Sequence, residues 1–159
     1  MFVLSQLTEA HAIQICGWQY EGEYGIYNFP DWETVKSNGW VIAEPKRRAE
    51  DYTAVLEEDR LCGFFHFMKR EDKVLLGLGL APQYCGKGRG AELMKLIINQ
   101  YEENHAGKIL ELEVRAFNGR ALKCYLNAGF EITGSTIKQT HMGTDMFIQM
   151  RYNTIEQIR

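Results

Sequence analysis

The stretch from Val74 to Gly90, VLLGLGLAPQYCGKGRG, constrains the fold of this chain more than any other. It begins with an apolar run of the length that a buried strand needs, stops at Pro82, and then passes through closely spaced glycines into a segment with helical apolar periodicity. Backbone N–H groups at such a helix start point at one spot, and the helix dipole adds positive charge there. Because glycine lets a phosphate approach the backbone closely, the stretch predicts a diphosphate site.

The glycine-rich turn has two other interpretations. A tight turn with nothing bound fits the pattern, and Gly86, Gly88 and Ala91 also satisfy the dinucleotide-binding pattern G-x-G-x-x-G/A. In a dinucleotide fold, however, the first glycine ends the strand directly, whereas residues 82–85 intervene here and a single further strand–helix pair follows. The sequence therefore disfavours a dinucleotide and leaves the empty turn as the alternative.

The composition narrows the class of protein. The chain has 159 residues, a formal net charge of −3 and no apolar run long enough to span a membrane. This charge argues against nucleic acid or a membrane surface as a partner. The first residues have no basic segment and too short an apolar run, so we do not expect them to form a signal peptide, and the four cysteines have neither CxxC spacing nor a histidine pair nearby. We expect one soluble, cytoplasmic domain over residues 1–159, with free thiols and no metal site.

Hydrophobic periodicity and capping residues predict the element order β-α-α-β-β-β-α-β-α-β-β. Strands are predicted at residues 2–4, 52–57, 61–68, 74–81, 108–115, 130–134 and 145–152. Helices are predicted after the N-cap residues Thr8, Asp31 and Asn118 and over residues 88–104, and residues 18–30, 44–51 and 138–144 are predicted to be loops or solvated polar segments. One helical crossover joins parallel strands and the rest is antiparallel. We therefore expect a mixed α/β fold with a mostly antiparallel central sheet and helices on both faces.

Two glycines lie inside the strand that precedes the turn. Gly77 and Gly79 weaken a strand and mark a bulge or the close approach of another group. Tight packing inside the protein is one explanation. The other is an extended ligand that lies beside the strand as an additional strand would.

The sequence resembles the Gcn5-related N-acetyltransferase family. The resemblance is carried by the segment from Leu78 to Gly90, by the segment EVRAFN from Glu113 to Asn118, and by Ala121, Tyr125 and Gly129-Phe130. Its specific part covers about residues 73–131, and the element order fits over most of the chain. The resemblance implies the acyl-CoA N-acyltransferase fold. It also implies an enzyme that moves an acetyl group from acetyl-CoA to a primary amine by direct attack in a ternary complex.

The cofactor-binding residues follow from the resemblance. The pyrophosphate of acetyl-CoA is expected on the loop amides and the pantetheine arm along the preceding strand, with these residues in contact: Leu78, Gly79, Leu80, Cys85, Gly86, Lys87, Gly88, Arg89, Gly90 and Asn118. An arm that lies along the strand explains Gly77 and Gly79 better than packing does. Asn118 is also a sufficient helix N-cap, and the two roles are compatible. The family usually has Gln or Arg where this chain has Cys85. Since backbone amides carry most of the anion contact, we expect binding to survive this departure.

The same resemblance implies two catalytic residues. Tyr125 matches the tyrosine that protonates the leaving CoA thiolate, with a core aromatic as the alternative. Glu113 matches the general base of ribosomal-protein alanine acetyltransferases, whose EVRASN stretch is similar to the EVRAFN of this chain. A solvated carboxylate or one paired with Arg115 is the alternative, and Glu111 is a second candidate on the same strand face. His66, alone in an apolar strand, is expected to be structural.

The acceptor amine is expected to bind between the loop after the first helix and the late polar segment, residues 138–144. Carboxylates attract a cation and aromatic rings line its site, which makes these residues candidates for substrate binding: Trp18, Tyr20, Glu21, Glu23 and Tyr24. Ordinary loop packing is the alternative for each of them. The aromatic loop favours a small amine, whereas the EVR segment favours a protein N-terminus, so both acceptors stay open.

A function without catalysis is also open. The departure at Cys85 is compatible with an acetyl-CoA sensor or interaction module that binds the cofactor without turnover. An exposed strand near the end of the sequence is compatible with a homodimer.

Overall fold

A computed structural model of the protein describes residues 1–140 and 142–153. Within these residues seven strands form one sheet: β1 (Val3–Gln6), β2 (Tyr52–Glu57), β3 (Arg60–Lys69), β4 (Lys73–Leu80), β5 (Ile109–Arg115), β6 (Phe130–Thr140) and β7 (Gly143–Tyr152). Their order in the sheet is β1-β2-β3-β4-β5-β7-β6. β4 and β5 are parallel, while the pairs β1–β2, β2–β3, β5–β7 and β6–β7 are antiparallel. The predicted mixed, mostly antiparallel sheet is confirmed.

Five α-helices occur in the described part of the chain: α1 (Glu9–Cys16), α2 (Trp32–Ser37), α3 (Pro45–Asp51), α4 (Gly90–Asn104) and α5 (Gly119–Asn127). Three of them begin at the predicted N-caps. The side-chain oxygens of Thr8, Asp31 and Asn118 accept backbone N–H bonds at 3.2, 2.8 and 3.1 Å. Each bond satisfies one of the N–H groups that a helix start leaves without an internal partner.

Helix α3 corrects one prediction. Residues 44–51 were expected to be a solvated charged segment, but Glu44 accepts the N–H groups of Lys46 and Arg47 at 3.3 and 2.8 Å, and Pro45 occupies the first helical position. An acidic cap followed by proline is a helix start signal. Arg48 of this helix is buried, and its guanidinium donates to the Ile42 carbonyl at 3.1 Å.

Two further segments contain regular structure that the sequence did not predict. The loop over residues 18–30 contains a 3₁₀ helix at Gly22–Tyr27. The last two strands extend well into the segment 138–144, because β6 and β7 pair as far as Thr140 and Gly143. Residue 141 of that segment lies outside the described residues. The alternating polar side chains of β6 gave no apolar stripe by which its full length could be read.

The chain divides into two compact units, of which the first comprises Met1–Phe67 and Leu78–Lys87. Its core cluster joins α1, α2, β2 and β3 through these buried residues: Leu7, Ala12, Ile15, Cys16, Val35, Ile42, Ala54, Leu61 and Phe64. Partly buried aromatic residues pack against the cluster, among them Trp18, Phe29, Trp32, Trp40 and Tyr52. Burial of this apolar surface contributes roughly 25 cal/mol per Å² and is the main force that stabilises the unit.

The second unit comprises Met68–Gly77 and Gly88–Arg159. On β5 the side chains of Leu110, Leu112 and Val114 are buried and alternate with carboxylates, so the predicted apolar and charged faces are confirmed. Helix α4 buries one face through Leu93, Met94, Ile97 and Tyr101, as its periodicity predicted.

One of the in-strand glycines, Gly79, has a packing role, although the expected ligand was the favoured explanation for it. A Cβ atom built on Gly79 would lie 2.9 Å from Cε1 of Phe64, closer than carbon atoms approach, and 3.2 Å from Cζ, which is unusually tight. Phe64 itself cannot withdraw easily, because the rings of Trp18, Phe29 and Tyr52 surround it at centroid distances of 6.0, 6.3 and 6.1 Å. The β4 backbone at Gly79 therefore lies directly against the aromatic core.

We expect Gly79→Ala to lower the free energy of unfolding by about 1–3 kcal/mol, because the added methyl group overpacks the core at Phe64. Urea denaturation measures this change. In a Phe64→Leu background the same substitution is expected to cost less, since the ring that it strikes is gone. Gly17→Ala is the matched control, as its Cβ would meet only an ordinary contact at 3.4 Å. An equal cost in both backgrounds would contradict the packing explanation.

Candidate functional site

The turn between β4 and α4 has the backbone that an anion site requires. Gly86 and Gly88 have φ angles of 71° and 75°, a region that residues with side chains rarely adopt. Helix α4 then begins at Gly90, and the side chain of its N-cap residue, Arg89, makes no capping bond. The N–H groups of the first turn have no acceptor within the helix, so the turn can receive an anion through its backbone.

The cations of this turn differ in their surroundings. Lys87 is exposed. Arg89 is partly buried, and its Nη2 and Nε atoms donate to Oε1 of Glu92 at 3.1 and 3.3 Å. Glu92 offsets part of the positive charge of Arg89, and Lys87 leaves a net positive charge on the turn.

The backbone of β4 presents alternate residues to its two sides. Ala81, directly after the strand, donates its N–H to the Cys62 carbonyl on β3 at 2.9 Å. Successive residues of a strand direct their N–H and C=O groups to opposite sides. The N–H and C=O groups of Leu80 and Leu78 therefore point away from β3. Pairing with β5 on that other side joins Lys73–Leu75 to Ile109–Glu111, whereas β4 continues to Leu80. The carboxyl end of β4 therefore offers backbone groups to an extended ligand.

Tyr20 reaches this end of β4. Its hydroxyl donates to the Leu80 carbonyl at 2.5 Å, and its own N–H donates to Oδ1 of Asn28 at 2.7 Å. The Cys85 sulfur lies 3.6 Å from the carbonyls of both Leu80 and Ala81. Burial raises the pKa of the Tyr20 phenol far above its ordinary value, and the negative charge of an ionised Cys85 would raise it further. At neutral pH Tyr20 is therefore a hydrogen-bond donor.

The other residues proposed for the acceptor divide into two groups. Trp18 is part of the aromatic packing around Phe64, and Tyr24 is partly buried in the 3₁₀ helix. Glu21 and Glu23 are exposed to solvent. Packing thus accounts for Trp18, whereas the two carboxylates make no contact of that kind within the described residues and face solvent.

Glu113, the candidate base, is held by the first residue of the late polar segment, a partner that the sequence did not assign to it. Its Oε1 accepts from Nζ of Lys138 at 2.9 Å. The alternative partner, Arg115, instead forms an ion pair with Asp145 at 2.7 Å, and this hydrogen bond lowers the pKa of the Asp145 carboxyl. Arg115 and Lys138 also lie 4.9 and 4.8 Å from the centroid of the Phe147 ring.

Two other titratable residues have defined partners: Glu111, the second candidate base, and His66. Glu111 pairs with Nζ of Lys73 at 3.4 Å. His66 stacks on Tyr52 with 4.6 Å between ring centroids, and burial lowers its pKa to about 4 in spite of the opposing charge of Asp51. His66 is therefore neutral at pH 7, in agreement with its expected structural role.

Helix α5 carries two of the expected site residues. Asn118 caps the helix, and Tyr125 lies two turns further along. The Tyr125 ring packs against Phe130 with 6.2 Å between centroids and is partly buried. At the start of α4, a Cβ on Gly90 would come within 2.8 Å of the Cys124 sulfur, so glycine there allows the two helices to meet.

Sequence reasoning missed Asn28 and Lys138. Asn28 is separated from Tyr20 by the 3₁₀ helix, and Lys138 lies 25 residues from Glu113. No local pattern connects either residue to its partner. In the part of the chain that the structure describes, no group of three or more His, Cys, Asp or Glu residues is placed to hold a metal ion. Nor is any helix there long and apolar enough to cross a membrane.

Comparison with known proteins gives a family match. The sequence model of the family described as Acetyltransferase (GNAT) family matches residues 12–130. The mycothiol acetyltransferase of Brachybacterium faecium is 30% identical over 104 residues, which cover 61% of this chain and 31% of that protein. The chain thus spans about a third of the length of the curated relative that it matches.

Solved structures share the fold. A chimera of the spermidine N-acetyltransferase SpeG from Vibrio cholerae and hSSAT superposes with a TM-score of 0.75 at 15% identity, over 99% of this chain and 98% of that one. The ribosomal-protein-S18-alanine N-acetyltransferase from Escherichia coli superposes with a TM-score of 0.66 at 23% identity, over 96% and 93%. At these identities the likeness concerns the fold.

Proposed function

The chain belongs to the acetyltransferase (GNAT) family, whose members take their acyl group from acetyl-CoA; from this premise we propose that it acetylates a primary amine by direct attack in a ternary complex. The observation that carries the proposal is the turn after β4. Two positive-φ glycines there lead into a helix start that no N-cap side chain satisfies. A family member with this turn has the backbone donors that a pyrophosphate needs.

In this proposal the chain binds the donor mainly through its backbone. The amides of residues 85–90 receive the pyrophosphate, with Lys87 and Arg89 adding positive charge. The peptide groups from Leu78 to Leu80 pair with the pantetheine arm, and Asn118 contacts the arm while it caps α5. Cys85 in place of the usual Gln or Arg removes a side-chain donor and leaves the backbone amides intact.

The proposed chemistry needs one base and one acid. A bound acetyl-CoA supplies the thioester whose carbonyl carbon forms the C–N bond as its C–S bond breaks. Glu113 takes a proton from the attacking amine, directly or through water, since an amine of pKa about 10 is mostly protonated at pH 7. Tyr125 gives its proton to the leaving sulfur, a transfer that becomes favourable as negative charge develops there. The nitrogen loses its second proton to solvent as the C–S bond breaks. Glu113 then releases its proton to solvent and Tyr125 regains one from solvent, so that one proton is released overall.

The acceptor that we propose is a small cationic amine. The exposed carboxylates Glu21 and Glu23 and the net charge of −3 attract a cation. The chimera of similar fold is named for spermidine. We further propose that residues 1–159 form one catalytic domain that acts in the cytoplasm.

A protein N-terminus is the second candidate acceptor. The segment EVRAFN favours it, and a similar fold is found in an enzyme named for the alanine of a ribosomal protein. A sensor that binds acetyl-CoA without turnover is the alternative to both enzymes.

Purified protein is expected to transfer labelled acetyl from acetyl-CoA to spermidine or an aminoglycoside in preference to a peptide that begins with alanine. Mass spectrometry detects each product, and a cell extract incubated with the protein and the same label extends the panel. Preference for the alanine peptide would favour the second acceptor. Cofactor binding with no product from any amine or from the extract would contradict an enzyme and support the sensor.

Tyr125→Phe is expected to lower kcat by about 100-fold while the KM for acetyl-CoA changes less than about twofold, because only the acidic hydroxyl is lost. Steady-state kinetics with the best acceptor measures both constants. Tyr152→Phe is the matched control, since its ring packs against the same residue, Phe130, at 5.4 Å. Equal turnover in wild type and Tyr125→Phe would remove the assigned role.

Glu113→Gln is expected to lower kcat/KM by about 100-fold at pH 7 and by less at pH 9 or above, where more of the amine is already deprotonated. A pH profile of kcat/KM from 6 to 10 measures this dependence. Glu131→Gln, on the exposed strand β6, controls for loss of a carboxylate. A loss that is the same at every pH would show that Glu113 serves the Lys138 ion pair and not proton transfer.

A further inference from the structure

The contact between Tyr20 and β4 lies at the end of the strand where the acyl donor is expected. A buried tyrosine hydroxyl usually takes a hydrogen-bond partner, so the position of that partner is what matters. Here the hydroxyl meets the carbonyl of Leu80, the last residue of β4, at 2.5 Å. That carbonyl points away from β3, on the edge along which an extended ligand would pair.

The tyrosine is fixed at both of its ends. Its N–H donates to Oδ1 of Asn28 at 2.7 Å, and the Asn28 side chain in turn donates to Oε1 of Gln19 at 3.2 Å. These bonds close the segment around the 3₁₀ helix at Gly22–Tyr27. These bonds hold the backbone at Tyr20, and the bond of the hydroxyl to the Leu80 carbonyl holds the ring.

The Leu80 carbonyl retains capacity for a ligand. A carbonyl oxygen has two lone pairs, and Tyr20 uses one of them. The Cys85 thiol is a weak donor that lies 3.6 Å from this oxygen and equally far from the Ala81 carbonyl, so it does not saturate the second. Tyr20 therefore fixes the direction of the carbonyl and polarises it, while one lone pair stays available to an N–H donor.

We infer that Tyr20 is a positioning residue for the acyl donor: it holds the Leu80 carbonyl in the orientation that accepts an amide N–H of the pantetheine arm. This inference rests on the proposed function, because it requires that the arm lies along β4. It assigns the hydroxyl of Tyr20 to the donor, whereas the acceptor is bound by other groups of the loop.

Binding of CoA and of 3′-phospho-ADP, the nucleotide half of CoA without the arm, tests the inference by isothermal titration calorimetry. Tyr20→Phe is expected to raise the Kd for CoA by about 3- to 10-fold, the value of one neutral hydrogen bond, and to leave the Kd for 3′-phospho-ADP within about twofold. Tyr52→Phe is the matched control, since Tyr52 is a partly buried tyrosine of the same unit that stacks on His66.

Kinetics and a second position separate positioning from general loss of structure. The KM for acetyl-CoA is expected to rise with the Kd for CoA, while the KM for the amine stays unchanged. Asn28→Ala, which removes the acceptor of the Tyr20 N–H, is expected to weaken the binding of CoA in the same way. Asn28→Asp keeps an acceptor oxygen and is expected to restore most of the affinity for CoA.

Three results for Tyr20→Phe would overturn the inference: an unchanged affinity for CoA, an equal loss of affinity for CoA and for 3′-phospho-ADP, or a rise in the KM of the amine alone. If the wild-type protein binds neither CoA nor 3′-phospho-ADP, the proposed function fails. Failure of the inference alone leaves wild-type CoA binding intact, so the two failures are distinguishable.

Discussion

The first unit depends on the absence of a side chain at Gly79, which lets the Phe64 ring lie against the backbone of β4. Around that ring Trp18 and Phe29, from the segment after α1, and Tyr52 of β2 close the core. The edge of the same strand that points away from β3 is the one along which a ligand would pair. One strand can serve both purposes because its side chains and its peptide groups point in perpendicular directions. The rigidity of the aromatic core is thereby transmitted to the backbone groups that a cofactor arm would use.

Local patterns made much of this fold predictable. The N-caps Thr8, Asp31 and Asn118 and the alternation of β5 are set by contacts within a few residues, so the sequence displays them directly. Helix α3 was missed although its signal is equally local, because Glu44 is a less common cap than Ser, Thr, Asp or Asn. The length of β6 was missed for a different reason, since a solvated strand has no apolar stripe.

The candidate site was predictable only where its residues are contiguous. The turn at residues 85–90 is visible because its glycines are adjacent to a strand and a helix. The contacts of Tyr20 with Leu80 and of Glu113 with Lys138 span 60 and 25 residues and arise from the tertiary fold. Periodicity cannot encode which loop residue meets a strand end, and for that reason the donor was easier to predict than the role of each loop residue.

The ion pair at Glu113 bears on which amine the proposed mechanism can use. The described carboxylates of the β5–β7 face have cations of this chain beside them: Lys73 at Glu111, Lys138 at Glu113 and Arg115 at Asp145. A base that receives a proton from an ammonium group must release its resident cation as the substrate enters. Both partners of the Glu113–Lys138 pair remain substantially exposed, at 33% and 46% of their side-chain surface, so water screens the pair and its loss costs little. A protonated amine can therefore replace Lys138 beside Glu113 without leaving the carboxylate unpaired, whereas a neutral acceptor would have to displace the lysine with no charge of its own.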